Sequence, residues 1–473
     1  MIRRLAAALA FVALVAACSA VPSALRDAPS AQSPGRGSNG HVPRSKPKQT
    51  KVLVTVVDGD THKRVKGARV VIGRRSDYAN TRGLAAVKIK HRTALPVRIS
   101  KPGYATRTVR MPFKQRRLVT VRLFREALQW TMFGANAQRT GTHEGISIRP
   151  PFKIVWSRGI GSLIEFPAVV YEGVAYIGNY KGTIYAVSMR NGKVVWRYDP
   201  PGGKMASSPA VSADDVVTHG MDGVVRVLDR RNGRLRWSYS VGSPIESSPV
   251  VANGLDYFGA WNGQIYALDL QKRKLRWRQS MGAKITSSAA IAGETLYIGD
   301  YAGRLIALSA TSGKVRFTRS VNGRVYGTPA VAGGRVFVPS STGGSLTAFT
   351  TSGRYLWRVN TGSYVYSSPA VWAGRVFFGS YNGRFYGVSA SSGRVLWSVG
   401  AGGPVSGAAV VVAGVAYAGS THGRITGVDA RSGRVVLDFP HGEYVPVSGN
   451  GDRLLLHGYS RIWAVEPQRS STE

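Results

Sequence analysis

Few residues in this 473-residue chain have the type and spacing for chemistry. The single cysteine, Cys18, closes the tetrad Val15-Ala16-Ala17-Cys18, a pattern at which a lipoprotein signal peptide is cut and the cysteine acylated. One cysteine excludes an intrachain disulfide. Of eight histidines, His219, His422, His441 and His457 lie beyond residue 150, and none has the HxH or HExxH spacing of a metal site. No G-x-S-x-G on a strand–helix turn marks a nucleophile, and Asp222, Asp269, Asp300 and Asp429 recur where an aspartate bonds its own turn. No catalytic set and no metal site are assigned. Binding chemistry is better represented. Lys204, Glu246, Lys284, Arg324, Tyr326, Tyr364, Tyr366, Glu443 and Tyr444 fall in short segments between strand-rich units, and Tyr180, Trp261, Tyr301 and Tyr381 fall in nearby turns. Aromatic rings with interspersed cations and carboxylates suit a glycan, a peptide or an anionic ligand.

These residues must be placed by a repeat. Trp156, Trp196, Trp237, Trp277, Phe317, Trp357, Trp397 and Leu437 follow one another at 40 residues, with one step of 41. Within a unit such as Ser367–Trp397, four short apolar stretches are separated by Ala373-Gly374, Asn382-Gly383 and Ser392-Gly393. Short runs joined by x-Gly turns read as antiparallel hairpins, and four strands per 40 residues read as a propeller blade. Seven complete units run from about residue 166 to 439. An eighth, about 444–466, has three strands, and Phe152–Arg158 is an outer strand with no blade before it. The expectation is an all-β fold: an eight-bladed β-propeller of four-stranded blades, closed by the N-terminal strand, which removes an open edge. The periodic rings are read as blade-docking residues rather than ligand stackers.

The segments SSPAV, IYALD and S-G-K/R-V-x-W resemble the pyrroloquinoline-quinone (PQQ) repeat of quinoprotein-type propellers, over roughly residues 128–468. Trp130–Gly141, WTMFGANAQRTG, resembles the lead-in that precedes their first blade. The resemblance implies the fold and leaves two functions open. Quinoprotein dehydrogenases use PQQ with calcium, an aspartate base and, typically, adjacent cysteines. This propeller has no cysteine and no long inter-blade insertion, and of its innermost glutamates Glu165 and Glu246 lie two blades apart. No cofactor is therefore assigned, with a PQQ-dependent alcohol or sugar dehydrogenase as the alternative. The nearer resemblance is to the lipoprotein propeller of outer-membrane protein assembly, which implies a scaffold that holds a protein partner through its inter-blade loops.

The N-terminus supplies an address. Arg3 and Arg4 precede an apolar stretch, Leu5–Ala17, that is too short to span a bilayer. Residues 1–18 read as a lipoprotein signal peptide and 19–50 as a flexible linker rich in Ser, Pro and Gly. Residues 51–125 alternate like strands around Asp-Gly and Pro-Gly turns and read as a small β-sandwich. Their V-x-D, V-x-G-A-x-V and K-P-G-Y segments resemble the carboxypeptidase regulatory-like, transthyretin-like domain. Residues 469–473 are left as a tail. The net charge is +40, and 51–125 is its densest part, with 20 Lys/Arg against Asp58, Asp60 and Asp77. Such a module is drawn to anionic surfaces in a salt-sensitive way. The sequence thus reads as a monomeric, extracytoplasmic, membrane-anchored envelope protein with a protein or anionic-polymer partner, and no motif for specific nucleic-acid reading. A glycan or wall-polymer binder is the further alternative.

Overall fold

Each 40-residue unit folds as its alternation dictates. In the third blade, Leu255–Gly259 and Gln264–Asp269 are buried almost throughout, because both faces of these middle strands meet neighbouring blades. The outer strand Lys274–Ser280 alternates between exposed and half-buried residues, as an edge strand must. The hairpin turn Ala373-Gly374 holds both residues at positive φ (46° and 73°), the geometry that a tight two-residue hairpin requires.

The computed structural model describes residues 50–89, 96–110 and 118–468. Cys18, the signal peptide, nearly all of the linker and the 469–473 tail lie outside the described residues. Seven four-stranded meanders follow in order from Val169 to Phe439. The eighth sheet takes three strands from Val447–Gly449, Leu454–His457 and Arg461–Pro467, and its fourth is Phe152–Gly159, antiparallel to the last. The ring is therefore closed by the N-terminal strand. Ahead of it, two sheets pack around a Val- and Ile-rich core as a small sandwich. One has Thr50–Asp58 at its centre, parallel to Leu118–Leu123.

The periodic ring residues dock one blade on the next. The indole Nε1 of Trp156, Trp277, Trp357 and Trp397 donates to a carbonyl 33 residues further on, at 2.8–3.2 Å. Each ring also lies on a glycine of the following blade's last turn. A Cβ at Gly393 (φ 73°) would sit 2.8 Å from the Trp357 ring. Small residues face the rings across the sheet, as Ala267 does Trp277 and Gly387 does Trp397, with a bulge at the same step in every blade. Serines form a second belt. Ser208 N–H donates to Ser248 Oγ, Ser248 N–H to Ser288 Oγ and Thr328 N–H to Ser368 Oγ, each exactly one repeat along at 2.8–2.9 Å.

An eight-bladed ring leaves an axial channel whose inner strand edges need partners. The lead-in supplies them. Backbone N–H groups of Val170, Val211, Ile291, Val331, Val371 and Val411, from six different blades, donate to carbonyls of Trp130, Thr131, Ala137, Gln138, Thr140 and Gly141 at 2.7–2.9 Å. Thr142–His143 then adds a short parallel strand to the seventh blade. Arg139 sits at the centre of this plug, 2% exposed. Its guanidinium donates to the carbonyls of Phe133, Ala289, Ser248 and Pro249. Burial pushes its pKa down to about 9, so it stays charged at neutral pH.

The sandwich meets the ring through a buried acidic turn. Asp58 accepts bonds from the Tyr104 hydroxyl (2.7 Å) and Arg125 Nε (2.9 Å), and Asp60 accepts the Arg125 backbone N–H. His62 Nε2 meets Asp452 Oδ1 of the eighth blade at 2.9 Å.

Arg139 is the strongest stability prediction. Arg139→Met leaves four buried carbonyls without a donor, and each lost partner costs about 1–3 kcal/mol. We expect denaturant unfolding to show a loss of at least about 3 kcal/mol. An unchanged midpoint would show that the plug does not hold the ring.

Candidate binding site at the channel mouth

The loops that join blades repeat a three-residue alternation. Their middle residue is an apolar anchor buried in the ring: Ile164, Met205, Ile245, Ile285, Val325, Val365, Val405 and Val445. The residue before each anchor faces the rim, and in the first seven loops its carbonyl accepts the N–H of a neighbouring hairpin turn. Lys284 thus holds Tyr301, Arg324 holds Ser341, and Tyr364 holds Tyr381, at 2.7–2.9 Å. The residue after each anchor turns toward the axis. In successive blades it is Glu165, Ala206, Glu246, Thr286, Tyr326, Tyr366, Ser406 and Pro446.

Six of these axial residues, Glu165, Glu246, Thr286, Tyr326, Tyr366 and Ser406, line one cup of about 200 Å³, joined by Tyr444 from the rim position of the eighth blade. Phe133 of the plug lies beneath them, and Phe166 completes the wall. Glu246 accepts a hydrogen bond from Trp261 Nε1 at 3.0 Å. Burial raises the Glu165 pKa to about 7, helped by the like charge of Glu246. Burial also raises Glu246, while the Trp261 hydrogen bond and the Lys284 charge pull it back. The phenols of Tyr366 and Tyr444 are likewise pushed up by burial.

Around the cup runs an aromatic and cationic arc. Lys284 Nζ stands 3.2 Å from the Trp261 ring centroid and 4.9 Å from that of Tyr301. Arg324 lies 5.8 Å over Tyr301. Tyr301 packs on Tyr326, Tyr326 on Tyr366 and Tyr366 on Tyr381, with centroids 4.5–5.2 Å apart, and Tyr364 caps the end. Tyr364 is 49% exposed. The arc spans four blades without a break.

The structure therefore joins most of the sequence candidates and separates two. Glu246, Tyr326, Tyr366 and Tyr444 line the cup, while Lys284, Arg324 and Tyr364 form the rim. Lys204 stands apart over Tyr180 at 5.4 Å, because its blade offers Ala206 and Met221 where others offer rings. Glu443 lies beside Tyr444 and does not line the cup. The turn residues Trp261, Tyr301 and Tyr381 belong to the arc, whereas Tyr180 lies apart with Lys204. Glu165 and Glu246 are two blades apart in the chain, yet the narrow channel brings both into one cavity. That corrects the inference that their separation keeps them from a common site. Thr286, Ser406 and Phe133 were not singled out by sequence. The first two would have emerged from aligning the inter-blade loops position by position.

A larger cavity, about 690 Å³, opens on the other face between the plug and the turns around Gly333 and Trp372. It is lined mostly by small residues, with Glu144 and Arg335 as the charged side chains on its wall. The sandwich carries its own charged face. Arg69, Arg98 and Arg110 are all exposed on the outer side of one sheet, with Tyr78 (61% exposed) opposite Arg69.

A family model described as "Outer membrane protein assembly factor BamB", a PQQ-repeat model, matches residues 127–260, 261–363 and 340–443. The chain belongs to this family. It is 31% identical over 84 residues to the outer membrane protein assembly factor BamB of Yersinia pestis, covering 17% of this chain and 21% of that protein. It is 30% identical over 131 residues to the 1-butanol dehydrogenase (cytochrome c) of Thauera butanivorans, covering 22% and 19%. These matches span about a fifth of each relative. Among solved structures, BamB from Moraxella catarrhalis is similar at a TM-score of 0.59 and 17% identity, over 68% of this chain and all of that one. Quinohemoprotein alcohol dehydrogenase from Comamonas testosteroni is similar at 0.62 and 14%, over 73% and 82%. Both structural likenesses concern the fold.

The dehydrogenase fold implies PQQ, and the cup fits it poorly. PQQ is a rigid tricarboxylate, whereas the cup walls present Glu165 and Glu246. Sites for ligands of that size measure about 300–1,000 Å³, and this cup is smaller and floored by Phe133. Among the described residues no three His, Cys, Asp or Glu side chains gather as metal ligands.

The raised Glu165 generates a pH prediction. Its folded pKa of about 7 exceeds the ordinary 4.5, so the folded state binds the proton more tightly. Stability from this group is full below about pH 4.5, falls as pH rises toward 7 and is level above. Glu165→Gln should be as stable as the parent at pH 4.5 and more stable at pH 8, by at most about 3 kcal/mol and less if water enters the mouth. Melting curves at both pH values test this, and a parent that keeps pace with the variant at pH 8 contradicts it.

Proposed function

We propose that this protein is a non-enzymatic binding scaffold of the cell envelope. A lipid on Cys18 holds it to a membrane outside the cytoplasm, and the ring presents its inter-blade face to a partner protein or an anionic envelope polymer. The observation that carries the reading is the contrast between the uniform ring and its loop residues. Every blade keeps its docking and anchor positions, while the rim and axial positions diverge and, with the hairpin turns, form one continuous arc from Trp261 to Tyr381. Tyr, Trp and Arg are the side chains that dominate protein interfaces, since they bury much area and still carry a polar end. Membership of a family described as an assembly factor supports the same reading. The basic sandwich adds long-range attraction toward anionic surface.

The dehydrogenase reading draws on the partial match to the butanol dehydrogenase. The size and charge of the cup favour the scaffold. Reconstitution with PQQ and calcium should give no dye-linked alcohol or sugar oxidation, and measurable turnover would reverse the choice.

Two experiments test the scaffold directly. Cys18→Ala should move the protein from the membrane fraction to the soluble fraction, and continued membrane retention would remove the lipid anchor. On purified envelope, retention should fall as salt rises. It should fall several-fold in Arg324→Glu/Tyr364→Ala, and separately in Arg69→Glu/Arg98→Glu/Arg110→Glu. Retention indifferent to all three changes would sink the reading.

A further inference from the structure

The cup differs in character from the arc that surrounds it, and its contents point to a ligand class. Two carboxylates, Glu165 and Glu246, converge in one cavity of about 200 Å³. Glu246 has an indole N–H as its hydrogen-bond donor. The nearest cation, Lys284, is stacked on Trp261 and Tyr301 at the rim. Phe133, Phe166, Tyr326, Tyr366 and Tyr444 surround the carboxylates with ring faces and edges. Thr286, only 6% exposed, lines the same cavity, and its hydroxyl makes no hydrogen bond of normal geometry and lies beside the Tyr301 phenol, shielded from solvent.

We propose that the cup is a receptor for an organic cation, an ammonium or guanidinium head on a short alkyl stem. This rests on the scaffold reading above for the face it occupies, and it names what enters the axis of that face. Each component serves such a ligand. The glutamates supply counter-charge and acceptors for its N–H groups. The aromatic walls attract a cation through their ring faces and bury its stem. The size suits a head group, since larger ligands occupy about 300–1,000 Å³. An anion would meet two carboxylates at close range. A neutral sugar would leave Glu165 without a counter-charge and Glu246 with only Lys284 at the rim, which is the costly state for half-buried carboxylates. A cation relieves it.

The chemistry is shared by a free amine and by a Lys or Arg side chain of a bound polypeptide, and calorimetry at pH 8 with the whole protein separates them. Agmatine is the free probe and the blocked tripeptide acetyl-Gly-Arg-Gly-amide is the side-chain probe, with butyrate and glucose as comparators. Saturable one-to-one binding of agmatine or the tripeptide, and not of butyrate or glucose, is expected. If only agmatine binds, the source is a free amine. If the tripeptide binds at least as tightly, the source is a protein side chain. Glu165→Gln/Glu246→Gln should weaken binding at least tenfold, and Tyr326→Ala at least threefold. Glutamine keeps the volume of the wall, and Glu165→Gln alone, with a smaller loss expected, replaces the double variant should that variant not fold. Failure of both cationic probes, binding indifferent to these substitutions, or tighter binding of butyrate would overturn the proposal. Arg69→Glu/Arg98→Glu/Arg110→Glu, on the sandwich, keeps the two readings apart: it should reduce envelope retention while agmatine or tripeptide binding persists. Loss of retention without any cation binding would therefore overturn the cup alone, and cation binding without retention the scaffold alone.

Discussion

An eight-bladed ring is wide enough that its innermost strands cannot pair with each other across the axis, and the structure turns on how that gap is filled. Inner strands expose N–H groups along one edge, and in a channel these must bond to something. The lead-in between the sandwich and the first outer strand threads the axis and offers its carbonyls to six blades, and Arg139 gathers four further carbonyls. A buried cation without a direct ion pair is tolerable because those carbonyl dipoles solvate it and the charge of Asp256 favours it, and its depressed pKa records the remaining cost. The plug divides the axis in two. It leaves a crevice on one face and, on the other, a cup with Phe133 as its floor.

What happens above that floor follows from a simple alternation. In each inter-blade loop an apolar anchor is locked into the ring, so the residues on either side must point elsewhere, one to the rim and one to the axis. The anchors are interchangeable among Ile, Val and Met because they meet only apolar volume. Their flanking residues carry no such duty. Eight loops thus give the ring two sets of eight positions that can vary without disturbing a blade. Tyrosines concentrate in the fifth and sixth loops and glutamates in the first and third, so the face is asymmetric although the scaffold is nearly symmetric.

Much of this was legible from the chain. The 40-residue spacing of Trp and x-Gly turns specifies blades, and the count of strands at each end implies closure by Phe152–Gly159, because an open edge on an otherwise closed ring is unfavourable. The plug was not legible. Trp130–His143 has neither period, and its bonds are made by backbone carbonyls that sequence does not reveal. The cup was legible only in part. Tyr326 and Tyr366 stand out as aromatic residues in loops, but Thr286 and Ser406 look like ordinary repeat polar residues until the axial register is recognised. Glu165 and Glu246 appear distant when counted in blades and are near neighbours when measured across a narrow channel. Lys204 fails in the opposite way. It occupies the same register as Lys284, but Ala206 and Met221 give it no partners in its own blade.

Electrostatics then assigns different ranges to the two charged features. A chain of net charge +40 should repel a cation at long distance. At physiological salt, however, charges separated by more than about 8 Å of solvent are largely screened, whereas groups in a partly buried cavity are not. The cup therefore answers to its own walls, where Glu165 and Glu246 face aromatic rings, and not to the distant excess of arginine. The sandwich works in the complementary regime, with Arg69, Arg98 and Arg110 exposed to solvent and acting over a surface. Broad positive charge can set where the molecule resides while selecting nothing, and a short-range acidic cup can select while contributing little to where it resides. On the function proposed above, residence at an anionic surface and acceptance of a cationic group call for both features, held apart by the body of the ring.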